Sequence, residues 1–395
     1  MRLRGGDDVA QLGFGFMRLP LLDKNIKKSI DYSLLNELVD IFLYKGNKYI
    51  DTGYFYHDGF SEVAVKESVV NRHPRDSFII ADKLPVSMIK KKEQIETIFL
   101  EQLMKCGVEF FDVYLLHAVS ESNRNTINDL NMFDFLRQKK NEGKTKKIGF
   151  SFHGKAAYLD ELLANNTDVD IVQLQMNYLD WEDPTIESRK CYEIASKYNK
   201  QVIVMEPIKG GLLANLPDEA EELLKKKNPN RSAASWALSF VASQKNVEYV
   251  LSGMSSINQI AENDLSVKKN ISKEEENLLI RAARIVQKSI SIPCTSCHYC
   301  SKRCPQGIMI PELFSIYNTF KRDPYNQKIV ASMYYSSFKK TSGDPRSCIK
   351  CGACVEVCPQ KISIIDKVKE SDDELSKQTL KTMMKYYKKT KPKTK

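Results

Sequence analysis

Phe111-Asp112-Val113-Tyr114-Leu115-Leu116-His117 is a short apolar run, rich in aromatic and branched residues, that closes on a histidine. Its length and composition predict a β-strand. Seven further runs share this character: Leu12–Phe16, Tyr49–Gly53, Phe78–Leu84, Lys147–Phe152, Ile171–Asn177, Val202–Pro207 and Val247–Gly253. Helical patterns lie between them. Leu34, Leu35, Leu38, Val39 and Phe42 repeat at the spacing of one helix face. Similar stretches cover 61–71, 90–105, 129–141, 155–164, 185–199, 231–244 and 257–267. Strands alternating with helices eight times predict an α/β fold, a closed parallel (β/α)8 TIM barrel. The competing arrangement is an open doubly wound sheet. Against it, Gly13-Phe14-Gly15-Phe16-Met17-Arg18 lacks the third glycine of a dinucleotide fingerprint.

Beyond residue 267 the chain changes character. Residues 270–290 are helical and charged and lead into Cys294-x-x-Cys297-x-x-Cys300-x-x-x-Cys304-Pro305. A second run, Cys348-x-x-Cys351-x-x-Cys354-x-x-x-Cys358-Pro359, repeats the spacing. The pattern is similar to that of bacterial ferredoxins, which hold two [4Fe–4S] clusters and take the fourth cysteine of each run to the other cluster. That resemblance implies Cys294, Cys297, Cys300 and Cys358 on one cluster, and Cys348, Cys351, Cys354 and Cys304 on the other. Structural zinc is the competing reading, but zinc usually joins two separated CxxC units. The gap between the runs carries two helical stretches, Ile308–Tyr317 and Lys328–Phe338, which predict a small, mostly helical variant of the dicluster module. His298 is either a surface residue or a hydrogen-bonding neighbour of a cluster. Cys106 and Cys191 are expected as buried structural thiols. The division expected is a barrel over 1–285, a dicluster module over 286–365 and a Lys-rich tail over 366–395.

The bulk properties are those of a globular protein, with 42% hydrophobic and 28% charged residues in 395. No apolar run approaches the roughly 20 residues that span a membrane, and no membrane partner is expected. Met1-Arg2-Leu3-Arg4-Gly5-Gly6-Asp7-Asp8 has no signal-peptide apolar stretch. A cytoplasmic location is therefore expected, where cysteines serve as ligands rather than disulfides. Of the formal charge of +10, eight units come from lysines in 375–395. Each oxidised cluster with its thiolates adds roughly −2, leaving the body near neutral or acidic. The tail is read as a solvated, frayed terminus, with no specific nucleic-acid partner.

Polar residues gather at the C-terminal ends of the strand runs, where barrel enzymes place their chemistry. Asp51 and Tyr56 follow the second run, Lys83 falls in the third, and His117 ends the fourth. With Leu12–Pro20, Asp51-Thr52-Gly53-Tyr54-Phe55-Tyr56, Lys83, Asp112–His117, Ile148-Gly149-Phe150-Ser151, Val172-Gln173 and Glu262-Asn263, the chain resembles the aldo-keto reductases over residues 10–267. The resemblance implies that Tyr56 protonates a carbonyl oxygen during reduction. A free tyrosine holds its proton to about pH 10, and an adjacent Lys83 ammonium favours the phenolate. Asp51 would hold Lys83, and His117 would orient the carbonyl. Taken singly, each of these residues also has a structural reading, as ion pair, rim aromatic or core histidine. His57, His73 and His153 carry no implied role.

The nicotinamide would meet Ser151, Gln173 and Met205, and the adenosine end Gly253, Ser255, Gln259 and Asn263. Three departures stand out. Ser151 is followed by Phe152 rather than asparagine, and Met205 stands where many members have tyrosine. Gly253-Met254-Ser255-Ser256 and Gln259 lack the cations that grip a 2′-phosphate. NADPH and NADH both stay open. The substrate class is a small-molecule carbonyl or alcohol, and the polar loop 118–128, with Arg124, does not identify it. The alternatives are an electron-transfer protein with a redox partner, whose barrel docks that partner or binds flavin, and a protein whose clusters are purely structural. No flavin motif is found, although hydride and one-electron chemistry exchange poorly without such a group.

Overall fold

The computed structural model describes residues 10–23, 26–184, 186–322, 335–336, 338–339 and 342–390. The chain forms two compact units. One comprises Met1–Lys209, Leu213–Asn215 and Glu221–Arg281, the other Gly210–Leu212, Leu216–Ala220 and Ala282–Lys395.

Eight strands close a parallel ring in chain order, as expected. They are β1 (Gln11–Gly15), β2 (Tyr49–Asp51), β3 (Ile79–Leu84), β4 (Phe111–Val119), β5 (Thr145–Phe152), β6 (Ile171–Gln175), β7 (Gln201–Met205) and β8 (Val247–Ser252). The helices up to residue 289 are α1 (Tyr32–Tyr44), α2 (Ser61–Val65), α3 (Glu93–Cys106), α4 (Arg124–Asp129), α5 (Met132–Asn141), α6 (Ala156–Asn165), α7 (Ser188–Lys197), α8 (Asp218–Lys227), α9 (Ala233–Ala242), α10 (Ile257–Val267) and α11 (Lys273–Ser289). In α1 the Asp31 carboxylate accepts from the Leu34 amide at 3.0 Å, capping the helix. Leu35, Leu38, Val39 and Phe42 form its buried face, worth roughly 2 kcal/mol each in apolar burial. The stretch 129–141 is not one helix. Asn131, at a φ of 51°, breaks the chain between α4 and α5. Helix α8 was not expected, because its sequence is dominated by Glu and Lys and only Ala220 and Leu224 are buried.

Alternate residues of the strands fill the barrel. Tyr49, Ala81, Val113, Leu115, Ile171, Ile203, Tyr249 and Leu251 pack as one apolar cluster. Side chains two residues on share the same face, so Asp51, Lys83, His117, Gln173, Met205 and Gly253 form the next layer toward the strand ends. Gly149 occupies this interior face because nothing larger fits. A Cβ there would lie 2.1 Å from the Ile171 carbonyl oxygen.

The second unit is helical among its described residues, as expected. Its helices are α12 (Tyr299–Arg303), α13 (Ile310–Arg322), α14 (Ala353–Glu356) and α15 (Ile364–Thr390). Leu313, Phe314, Tyr317, Ile364, Val368 and Leu375 form a core with Cys300, Cys354 and Cys358. The Tyr317 hydroxyl donates to Glu370 and Glu374 of α15 at 2.8 and 3.0 Å. Most of the expected helix Lys328–Phe338 lies outside the described residues. The frayed tail is corrected as far as Thr390, because α15 continues through it. No Gly or Pro interrupts 364–390, and pairs such as Lys369–Asp373 (2.7 Å) support it along one face.

Candidate active site and cluster sites

Asp51 closes β2, and the chain then turns at Gly53 into a tight helical turn, Tyr56–Gly59. The Tyr56 amide donates to the Gly53 carbonyl at 3.0 Å. His57 and Asp58 follow at φ of 50° and 55°, in a region that favours glycine. The fold holds them there through His57. Its Nε2 accepts from the Leu19 amide at 3.0 Å, and its Nδ1 lies 2.7 Å from the Lys27 carbonyl, which places the proton on Nδ1. His57 thus fastens the turn that carries Tyr56.

Lys83 reaches from β3 into the barrel. Its Nζ donates to Asp51 Oδ1 and to the Thr52 carbonyl, each at 2.6 Å. Gln173 Nε2 donates to the other Asp51 oxygen at 3.3 Å. The ammonium lies 5.1 Å from the centre of the Tyr56 ring. The Tyr56 and His117 rings meet edge to face at 5.7 Å. Asp51, Tyr56, Lys83 and His117 are therefore brought together. Burial pushes the Asp51 carboxyl up, opposed by Lys83 and then by the hydrogen bond from Gln173. Burial holds the His117 imidazole well below its usual range, and the charges of Lys83 and His153 act in the same direction. His117 is neutral near pH 7 as a result.

The Ser151 hydroxyl oxygen accepts the Ala118 amide at 2.8 Å. Ala118 has a φ of 59°, where the β4–β5 register breaks between Leu116 and Val119. Ser151 thus braces the strand just after His117, and β4 runs two residues past the expected end. Gln173 Oε1 is buried and has no hydrogen-bond partner, an acceptor that fits the N–H groups of a carboxamide. Met205 closes β7, partly buried above the interior layer. At the end of β8, Gln259 Oε1 accepts from the Ser255 amide at 2.7 Å, and Asn263 Nδ2 donates to Ser252 Oγ at 3.1 Å. A Cβ on Gly253 would come 2.9 Å from Arg18 Cβ. Of these four expected adenosine-end residues, Gly253 and Ser255 precede α10, and Gln259 and Asn263 lie on it. Arg124 pairs with Glu161 and lies 4.4 Å over the Tyr158 ring.

Sequence reasoning passed over a second buried ion pair in the same unit, Asp180 with Lys209. Gln175 and Asn177 each donate to Asp180 at 2.8 Å. Polar residues following the Ile171–Asn177 run were the available signal.

In the second unit a small pocket is lined by Cys304, Cys348, Cys351 and Cys354, with Ile308 and Ile364 among its apolar walls. Burial pushes the Cys354 thiol up, and the charges of Cys348, Cys304 and Cys351 add to it. Cys300 is raised by burial and then by Cys297, Cys294 and Cys358, with Cys354 last. Thiols that oppose one another's ionisation are a donor set suited to a bound cationic metal group. Cys300 thus neighbours Cys358 of the second run, and Cys354 neighbours Cys304 of the first. His298 Nδ1 lies 3.4 Å from Glu312. Cys106 and Cys191 are buried, as expected.

The fold and these two sites define a barrel oxidoreductase carrying an iron–sulfur module. The Aldo/keto reductase family model matches residues 11–283 and a 4Fe-4S dicluster domain matches 293–363. The chain belongs to the aldo/keto reductase family. It is 23% identical over 302 residues to the uncharacterized oxidoreductase YqkF of Bacillus subtilis (strain 168), covering 68% of this chain and 90% of that protein. Among solved structures it is similar to the aldo-keto reductase AKR11C1 from Bacillus halodurans, with a TM-score of 0.56 at 22% identity over 69% of this chain and 92% of that one. An aldo-keto reductase from Klebsiella pneumoniae in complex with NADPH gives 0.55 at 17% identity, over 69% and 90%. Among the described residues no helix is long and apolar enough to cross a membrane.

Proposed function

We propose that the chain reduces an aldehyde or ketone, or oxidises the corresponding alcohol, with a nicotinamide cofactor and with Tyr56 as general acid. The observation that carries this reading is the Lys83 ammonium, anchored by Asp51 and Thr52 and lying 5.1 Å from the Tyr56 ring centre. The nicotinamide supplies hydride when bound. Tyr56 gives its hydroxyl proton to the carbonyl oxygen, and Lys83 stabilises the phenolate left behind. Asp51 keeps the ammonium in place. Neutral His117 offers a ring nitrogen for orienting the substrate oxygen. Gln173 Oε1, with Ser151, fits the carboxamide.

Gly253, Ser255, Gln259 and Asn263 offer no cation to a 2′-phosphate, which supports weak discrimination between NADPH and NADH. Similar Kd values for the two nucleotides agree with this; a thousandfold preference for NADPH opposes it. The dicluster module would hold one [4Fe–4S] cluster on Cys294, Cys297, Cys300 and Cys358, and the other on Cys304, Cys348, Cys351 and Cys354.

The test is anaerobic purification with iron and sulfide analysis, followed by carbonyl reduction assays on Tyr56→Phe. Loss of about a thousandfold in kcat with unchanged cluster content supports the reading. Retained activity, or absence of nucleotide binding, overturns it.

A further inference from the structure

Asp180 and Lys209 form an ion pair that no step proposed for the barrel uses. Both side chains are buried, as are those of Gln175 and Asn177 around them. One oxygen of the Asp180 carboxylate accepts from Lys209 Nζ, and the other accepts from Gln175 Nε2 and Asn177 Nδ2, each at 2.8 Å. The Asp180 amide donates to Asn177 Oδ1 at 2.8 Å. A buried ion pair is seldom more stabilising than an apolar pair of the same volume, because both charges give up their hydration. Stability alone is therefore a poor account of this one.

The pair joins the ends of β6 and β7. Gln175, the last residue of β6, stands in register with Met205, the last of β7. The Met176 amide donates to the Met205 carbonyl at 3.2 Å. Past Met205 the backbone takes an unfavourable course. Glu206 and Lys209 have φ of 56° and 44°, in the region that favours glycine. Glu206 also precedes Pro207, which narrows its choice of conformation further. Contacts hold the turn. The Glu206 carbonyl accepts from the Lys209 amide at 3.0 Å and from Asn177 Nδ2 at 3.2 Å, and the Lys209 side chain reaches back to Asp180. Ser188 Oγ, at the start of α7, donates to the Gln175 carbonyl at 2.8 Å. Gln173 and Met205, the two expected nicotinamide contacts, lie on the strands clamped in this way. Gln173 is two residues before Gln175, on the same face of β6.

We propose that Asp180 and Lys209 are positioning residues for the nicotinamide ring. The pair fixes the end of β7, with Met205, against the end of β6, with Gln173, so that both contacts stand in place before the nucleotide arrives. Neither residue transfers a proton or touches the substrate. The inference rests on the nicotinamide reading of the barrel site given above.

The test is binding calorimetry on the holoprotein under anaerobic conditions. NADPH and NADH carry the nicotinamide ring, whereas 2′-phospho-ADP-ribose and ADP-ribose are the matching ligands without it. A single substitution in the pair leaves one buried charge alone and can unfold the chain. The first variant is therefore Asp180→Asn with Lys209→Met, which removes both charges and keeps an oxygen for Gln175 and Asn177. The second is Gln175→Leu, which breaks one bond to Asp180 and leaves both charges in place. Both variants are expected to bind whichever nucleotide the wild type binds about tenfold more weakly, while the matching ligand without the ring binds as before. A pair that serves stability alone would lower Tm and leave every affinity unchanged, and that result overturns the proposal. Equal weakening of a nucleotide and its ringless counterpart overturns it too, because the clamp would then act on the rest of the nucleotide. A wild-type protein that binds neither NADPH nor NADH overturns the nicotinamide reading itself. Binding by the wild type with unchanged variants overturns only the role of the pair.

Discussion

The carboxylate of Asp82 accepts a hydrogen bond at 2.8 Å from the amide of Lys83, its neighbour in β3. Gln102 Nε2 donates to the Lys83 carbonyl at 3.1 Å and to Glu62 Oε1 at 2.9 Å, and Tyr114 donates to Gln102 at 2.6 Å. The ammonium of Lys83 works inside the barrel while its backbone is gripped from a buried polar pocket outside it. Asp82 is fully enclosed, and the Cys106 thiol donates to it at 3.8 Å.

That pocket makes a pH prediction. Burial, and then the charge of Glu62, pushes the Asp82 carboxyl well above the usual carboxylate range. A raised acid stabilises the fold below its unfolded value, and this contribution is lost as pH rises through the folded value. Asp82→Asn keeps an acceptor for the Lys83 amide but cannot ionise. Its Tm should fall less than that of the wild type as pH rises above the unfolded carboxyl value of about 4. Parallel curves would count against an enclosed, titrating Asp82.

Gly53 should matter for activity more than for folding. A Cβ there would sit 3.2 Å from two Tyr56 ring carbons and 3.4 Å from His117 Cε1. Gly53→Ala is expected to displace both rings and lower kcat about a hundredfold, with Tm changed by only a few degrees. Unchanged kcat would show that the rings are not held in the working geometry.

His117 should oppose acidification. Its pKa is depressed, so the stability it contributes is present above the unfolded value of about 6.5 and lost as pH falls through the folded value. Histidine NMR should show His117 neutral at about pH 6, when exposed histidines are largely charged. A His117 resonance that titrates near 6.5 would contradict its enclosure beside Lys83.

The cluster assignment is tested by a double substitution. If Cys304 and Cys351 serve the same cluster, Cys304→Ser with Cys351→Ser should leave the other cluster whole, with about four iron atoms per chain. If each run keeps its own cluster, both are damaged, and iron and the EPR signal of an intact cluster fall together.

The barrel was legible because the strand runs are apolar, alternate with helical stretches eight times, and in several cases turn polar at the same end. Asp51, Lys83, His117 and Gln173 each lie two residues beyond an apolar interior residue, so their inward layer follows from the strands alone. The turn bearing Tyr56 was less legible. Its left-handed residues are His57 and Asp58 rather than glycine, and the contacts of His57 with Leu19 and Lys27 help to hold them there. Glu62 and Gln102 lie in helical stretches where polar residues read as solvent-facing, yet both are fully buried. Gln102 meets Lys83 of β3 and Tyr114 of β4, Glu62 meets Gln102 and Lys105 of α3, and no local pattern announces such contacts. Ser151 was read as a nicotinamide contact, and its bond to the Ala118 amide depends on a register break that spacing does not reveal.

The reciprocal neighbourhood of the two cysteine runs bears on how the protein is made. Cys300 waits for Cys358, and Cys354 finds Cys304 already synthesised. A ribosome that has released only the first run presents four thiols but no completed site. On this assignment neither cluster can acquire its full ligand set until Cys358 has emerged. Iron loading would then be a late event, and a chain truncated between the runs would emerge with its first thiols open to oxidation.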